Sequence, residues 1–144
     1  MYLDITNTGL DSNSVDGFVL VSVLEHVGDI NTAVSEIHRV LRIGGKAIIT
    51  IPVMCSIHGE EDFWRFNVQG IEKLFSRFKI DEFTVLGGIY SSVFNSLQRP
   101  KGNLRKRFIV NKLLAIPFFI MGKFFDRSDD FPLGYGFIIE KIES

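Results

Sequence analysis

Titratable side chains gather in two short segments of this 144-residue chain. The first is Glu25-His26-Val27-Gly28-Asp29, and the second is His58-Gly59-Glu60-Glu61-Asp62-Phe63-Trp64-Arg65-Phe66. Each follows an apolar run that reads as a strand, residues 17–24 before the first and 46–51 before the second. In an open parallel sheet, ligands bind beyond the carboxyl ends of the strands, where loops leave for the helices. If the two runs are neighbouring parallel strands, the two polar loops face each other over one cleft. Imidazoles and carboxylates in such a place suit binding of a polar ligand and proton transfer. His58, Glu60 and Asp62 would offer three metal ligands within five loop residues. That is a weak signal, and no metal is expected.

The elements that hold these loops follow from periodicity and caps. Residues 1–5 read as short and extended, and Asp11-Ser-Asn-Ser14 as a turn. Gly17–Leu24 is apolar without alternation, which predicts a strand buried on both faces. Asp29 is a helix N-cap, with Ile30, Ala33, Val34, Ile37, Val40 and Leu41 at helical spacing behind it. Gly44-Gly45 is expected to end that helix, and Lys46–Ile51 is a second buried strand stopped by Pro52. Residues 53–66 read as a loop. Asn67 caps a helix to about Phe78, Lys79–Leu86 is a third strand and Gly87-Gly88 a turn. Helices are expected over 89–98 and 104–125, the latter containing Pro117. Ser128-Asp-Asp130 and Pro132 form a loop, and Tyr135–Ile142 is a last strand. On the first helix, His38 has an outward, solvated position, and Arg39, three residues after Glu36, is read as tying the helix to neighbouring chain. The sum is an α/β protein.

Composition bounds what such a protein does. Hydrophobic residues make up 46% of the chain and mean hydropathy is +0.20, enough for one domain with a core and incompatible with disorder. Sixteen basic and seventeen acidic residues give no general charge for nucleic acid. A single cysteine, Cys55, excludes a disulfide framework, and no secretory signal is visible, so a cytoplasmic setting is expected. The near-neutral total hides a division. Residues 99–127 carry eight basic residues and one acidic, leaving the rest of the chain with eight basic and sixteen acidic. Five phenylalanines, Phe108, Phe118, Phe119, Phe124 and Phe125, fall in that basic stretch. Two readings stand for it. One is a segment lying in a membrane interface, making the protein membrane-peripheral. The other is a helical cap or dimer surface that buries the phenylalanines.

Four further pieces acquire meaning together: Val23-Leu-Glu-His-Val-Gly-Asp29, Glu36-Ile-His-Arg-Val-Leu41, Gly44-Gly45 and Thr50-Ile-Pro52. Their joint pattern resembles the second half of class I S-adenosylmethionine-dependent methyltransferases, over roughly residues 4–88 and again at 131–142. His58-Gly59 and Asp62-Phe-Trp-Arg-Phe66 resemble a subset of that family associated with sugar or lipid-linked glycan acceptors. Residues 89–130 match no motif and are expected to be a helical, basic and aromatic insertion within a single domain spanning 1–144. The fold this implies is a partial Rossmann-like, mostly parallel sheet with flanking helices and an antiparallel C-terminal strand. The cofactor implied is S-adenosylmethionine, with Asp4 at its adenine amino group, Ile5 beside it, and Glu25 also facing it. For methyl transfer to a hydroxyl or amine of a small, sugar or lipid-linked acceptor, His26 and His58 are the candidate bases. Asp62 or Glu60 would orient them, Trp64 and Phe66 would wall the acceptor, and Arg65 would hold a phosphate. Other readings remain for the same residues. Glu25 and His26 also suit a structural pair fixing the strand-to-helix bend, and Trp64 and Phe66 also suit loop anchors.

The sequence departs from that family in one respect. No G-x-G-x-G turn occurs in the chain, and the first residues resemble the end of the family's third strand. In the family, that turn cradles the methionine part of the cofactor and an acidic residue holds its ribose. Each lost hydrogen bond to a charged group costs ~1.5–3 kcal/mol, against about 8 kcal/mol for a micromolar ligand. The chain alone is therefore expected to bind the cofactor weakly or not at all and to be weak or inactive. The strand at 17–24 would present an open edge, inviting a homodimer or a complementing chain. The alternative function is a non-catalytic remnant serving as a binding or regulatory subunit.

Overall fold

The computed structural model describes residues 3–57, 59–98, 105–126 and 131–143. Along the chain these form β1 (Val15–Val21), a single 3-10 turn (Leu24–His26), α1 (Ile30–Val40), β2 (Leu41–Pro52), α2 (Val68–Leu74), β3 (Phe78–Leu86), α3 (Ile89–Gln98), α4 (Arg105–Phe125) and β4 (Gly134–Lys141). The chain divides into two compact units. Unit 1 comprises Met1–Ile51, Gly59–Thr84 and Gly136–Ser144, and unit 2 comprises Pro52–His58 and Val85–Tyr135.

The strands form one sheet in the order β1-β2-β4-β3. It is mixed, with a parallel start and β4 as the antiparallel strand. Parallel pairing of β1 and β2 matches Phe18 with Ala47, Val19 with Ile48, Leu20 with Ile49 and Val21 with Thr50. A parallel pair needs a crossover, and α1 supplies it. Asp29 starts that helix by accepting from the Thr32 backbone N–H (3.1 Å) and hydroxyl (2.7 Å), which also holds its carboxyl below the usual range. Asn67 starts α2 in the same way, accepting from the Gly70 N–H at 2.8 Å. Leu20, Ile37, Ala47, Ile49, Phe75 and Phe137 are among the buried side chains of unit 1. The Phe75 and Phe137 rings meet edge-on at 5.3 Å.

Several local expectations change. The apolar run of β1 is covered on one face only: Val19 and Val21 are 68% and 59% exposed, and Ile48, the partner of Val19, 48%. Alternation of side chains puts these three on one side of the sheet, and among the described residues nothing covers it. Residues 4–7 are a tight turn closed by the Asn7 N–H on the Asp4 carbonyl at 3.1 Å, not an extended segment. Helix α1 ends at Val40, and Gly44-Gly45 serve β2. Gly44 has φ +77°, and a Cβ on Gly45 would lie 2.8 Å from the Arg42 carbonyl and 3.1 Å from that of Asp16. The pair thus allows the register shift between Val15 and Gly17. Helix α2 stops at Leu74, and Phe78 opens β3. His38 is buried rather than solvated, because Phe78 packs on its ring at 5.1 Å.

In unit 2, α3 and α4 pack together. Asp126, after α4, accepts from the Tyr90 and Ser91 N–H groups at 3.1 and 3.0 Å and so caps α3. Gly87 (φ +63°) makes the expected turn, and a Cβ there would sit 2.9 Å from Ser91. The expected loop at 128–130 lies outside the described residues. No helix among the described residues is long and apolar enough to cross a membrane.

Candidate active site

The end of β1 is fixed first. Ser22, at φ +52°, donates its N–H to the Thr50 carbonyl at 3.1 Å and turns the chain off the sheet into Leu24–His26. Leu24 and Glu25 are buried by that turn. The segment after Gly59 then docks on it through three hydrogen bonds and a ring contact. The Phe63 N–H donates to the Glu25 carbonyl at 2.8 Å, and the Trp64 indole N–H to the Val27 carbonyl at 2.7 Å. The His26 Nδ1–H donates to the Glu61 carbonyl. At Gly28 the Phe63 ring passes 3.8 Å from where a Cβ would stand. The two polar loops meet, as the topology requires of neighbouring parallel strands.

This contact sets the chemistry of His26. A neutral imidazole that donates through Nδ1 has Nε2 as its acceptor. That nitrogen lies 3.8 Å from Oε1 of the buried Glu25. The arrangement is a ring with its tautomer held by a backbone carbonyl, next to a buried carboxyl group. Asp62, 2% exposed at its side chain, receives both Nη groups of Arg65, one of them at 2.7 Å. Arg65 also donates to the Trp64 carbonyl at 2.8 Å. The structure therefore brings Arg65 onto Asp62, a pair that stiffens the loop carrying Trp64. Trp64 and Phe66 stack at 6.0 Å with their planes 19° apart.

Asp4 lies at the turn before β1, exposed, its Oδ1 accepting from the Thr6 N–H (2.8 Å) and hydroxyl (2.7 Å). Those bonds, backbone first, hold its carboxyl below the usual range. Ile5 is half-buried in the same turn. His58 lies outside the described residues. Among the described residues no group of three His, Cys, Asp or Glu is arranged to hold a metal ion.

Two further features belong to unit 1, the second of them not singled out from the sequence. Glu36 accepts from the Arg39 Nε at 2.7 Å and from the Thr8 hydroxyl and N–H at 2.7 and 2.9 Å. Arg39 in turn donates to the Leu10 carbonyl at 2.7 Å, so this pair ties residues 8–12 to α1, the role expected for Arg39. Arg39 foremost, then Thr8, pulls the Glu36 carboxyl down to about 2. The second is a groove of about 410 Å³ between α1 and α2, lined by Phe66, Lys73 and Arg77 among others. Lys73 lies in the last turn of α2 and Arg77 in the turn that follows it, and only the fold shows that they share a groove with Phe66.

A family model described as "Methyltransferase domain" matches residues 2–49. No curated protein matches the chain. Among solved structures, it is similar to the [4+2]-cyclase SpnF (TM-score 0.60, 18% identity, covering 100% of this chain and 56% of the cyclase). It is also similar to Haemonchus contortus phosphoethanolamine N-methyltransferase 2 in complex with S-adenosyl-L-methionine (0.59, 18%, 97% and 36%). A third is an S-adenosylmethionine-dependent methyltransferase from Methanosarcina mazei (0.59, 15%, 98% and 66%). The chain thus spans between about a third and two thirds of the length of these structures. Over residues 2–49 the chain matches the methyltransferase domain, and through its length it carries the fold of the class I S-adenosylmethionine-dependent methyltransferases.

Proposed function

We propose that this chain supplies the acceptor-facing side of an S-adenosylmethionine-dependent methyl transfer. The observation that carries the reading is the seating of residues 59–66 on residues 25–29 at the ends of the adjacent parallel strands β1 and β2. When bound, S-adenosylmethionine supplies an electrophilic methyl group. The residues here fit one part of it: Asp4 is a charged acceptor of the kind an adenine amino group requires, with Ile5 beside it, while Glu25 is buried behind the turn. No G-x-G-x-G cradle is present in the sequence, so the chain alone holds the cofactor weakly.

His26 acts as the base. Its Nε2 would take the proton from an acceptor hydroxyl or amine, while the methyl that passes to that atom would leave the donor by breaking its carbon–sulfur bond, with S-adenosylhomocysteine as leaving group. His58 is the second candidate base. Asp62 acts by fixing Arg65, and the Trp64–Phe66 stack offers an apolar wall to a small, sugar or lipid-linked acceptor. The open edge of β1 is the place where a second polypeptide would pair.

The test is a titration of the ¹⁵N-labelled chain with S-adenosylhomocysteine, followed residue by residue. The expected result is saturation near millimolar concentration, equivalent to about 4 kcal/mol, with shifts concentrated at residues 4–5, 25–29 and 59–66. Shifts elsewhere, or none in those segments at several millimolar, would overturn the reading. A micromolar Kd would overturn the claim that the cofactor site is incomplete.

A further inference from the structure

Helix α4 shows apolar side chains on two opposite sides. Ala115 is buried, Gly122 lies beside Tyr90 and Ser91, and the Phe119 ring packs 5.3 Å from that of Phe94; this side faces α3. At 3.6 residues per turn, Leu113, Ile116, Ile120 and Phe124 fall on the other side, and all four are between 51% and 64% exposed. Four large apolar groups in one exposed stripe form a patch of the kind that marks an interaction site.

Charge identifies the partner. From Arg99 to Lys112 the sequence has six basic residues (Arg99, Lys101, Arg105, Lys106, Arg107 and Lys112) and no acidic one, and Lys123 follows the stripe. A second copy would bring the same positive charge against it. An anionic leaflet would neutralise it, each basic residue near such a surface raising partitioning about fivefold. No helix among the described residues is long and apolar enough to cross a bilayer, and an exposed apolar stripe on a helix whose sequence also carries basic residues suits contact with a lipid interface.

We propose that unit 2 docks on an anionic lipid surface through α4, with Leu113, Ile116, Ile120 and Phe124 at the acyl boundary and the basic residues of the same helix supplying the attraction to the headgroups. This inference stands apart from the methyl-transfer reading, since it uses none of the residues assigned there.

The experiment is co-sedimentation of the full chain with vesicles of phosphatidylcholine alone and of phosphatidylcholine with 30% phosphatidylglycerol. The expected result is partitioning at least ~10-fold stronger to the anionic vesicles, weakened by salt. The double variant Ile120→Ser, Phe124→Ser alters exposed positions only and keeps the circular dichroism spectrum, and it should lower that partitioning about tenfold or more, since roughly 0.8 kcal/mol is lost per buried CH₂. Absence of binding to the anionic vesicles overturns the proposal, as does binding that the double variant leaves unchanged. Self-association without vesicles, abolished by the same variant, would assign the stripe to a second copy and overturn it equally.

Discussion

The two units of this chain treat apolar and polar side chains in opposite ways. Unit 1 buries Ile37, Ile49, Phe75 and Phe137. It also engages polar groups across long sequence separations, Glu36 with Thr8, Lys46 with Asp81, and Trp64 with Val27. Unit 2 leaves much of α4 exposed, from Leu113 to Phe125, within the longer stretch 99–127 that holds half of the chain's basic residues. A networked unit positions a site; one with an exposed apolar helix face and many basic residues presents a surface. The contrast predicts that the same kind of substitution has different consequences in each.

The largest difference is expected in the core. Phe75→Ala should cost ~3–5 kcal/mol of unfolding free energy, whereas Phe124→Ser, on an exposed face, should change it by about 0.5 kcal/mol or less. Urea denaturation of both variants measures this, and equal losses would erase the distinction between the units.

Next comes the Glu36 network. Glu36→Gln should cost ~2–3 kcal/mol, the value of hydrogen bonds to a charged group that is mostly buried. Because the folded-state carboxyl is held near 2, below its ordinary value, its contribution is fully present above pH ~4.5 and is lost as pH falls toward 2. Wild-type stability should therefore drop through that window more steeply than that of Glu36→Gln, as denaturation at stepped pH would show. A smaller effect belongs to the loop contact: Trp64→Phe removes the bond to the Val27 carbonyl and should cost ~1 kcal/mol, with the loss visible as faster amide exchange at residues 61–65.

Signals carried by short stretches of sequence were readable. Asp29 and Asn67 announce their helices because the capping bond is made within three residues. The apolar runs at 17–24 and 46–51 give strands, and topology alone brings their following loops together. What a face or side chain meets later in the chain was not readable. The β1 run is apolar throughout, yet whether both faces are covered depends on elements elsewhere. His38 has outward helical spacing, and Phe78 and Arg77, about forty residues on, bury it. Gly44-Gly45 signal freedom to adopt unusual backbone, not which element uses it. The pairing of Arg65 with Asp62 competes with their assigned roles toward a ligand, and composition gives no means of choosing. Fold likeness has its own limit. A [4+2]-cyclase shares this architecture, so the chemistry must be argued from the site.

The central claim is that residues 59–66 sit on the turn at 25–29 and thereby prepare His26 as a base. The ¹⁵N–¹H spectrum of the imidazole, recorded at about pH 8 where an ordinary histidine is neutral, reads this directly. The account predicts a protonated Nδ1 and an unprotonated Nε2 for His26. A ring protonated at Nε2, or one averaging between both tautomers, would mean that the Glu61 carbonyl does not hold it.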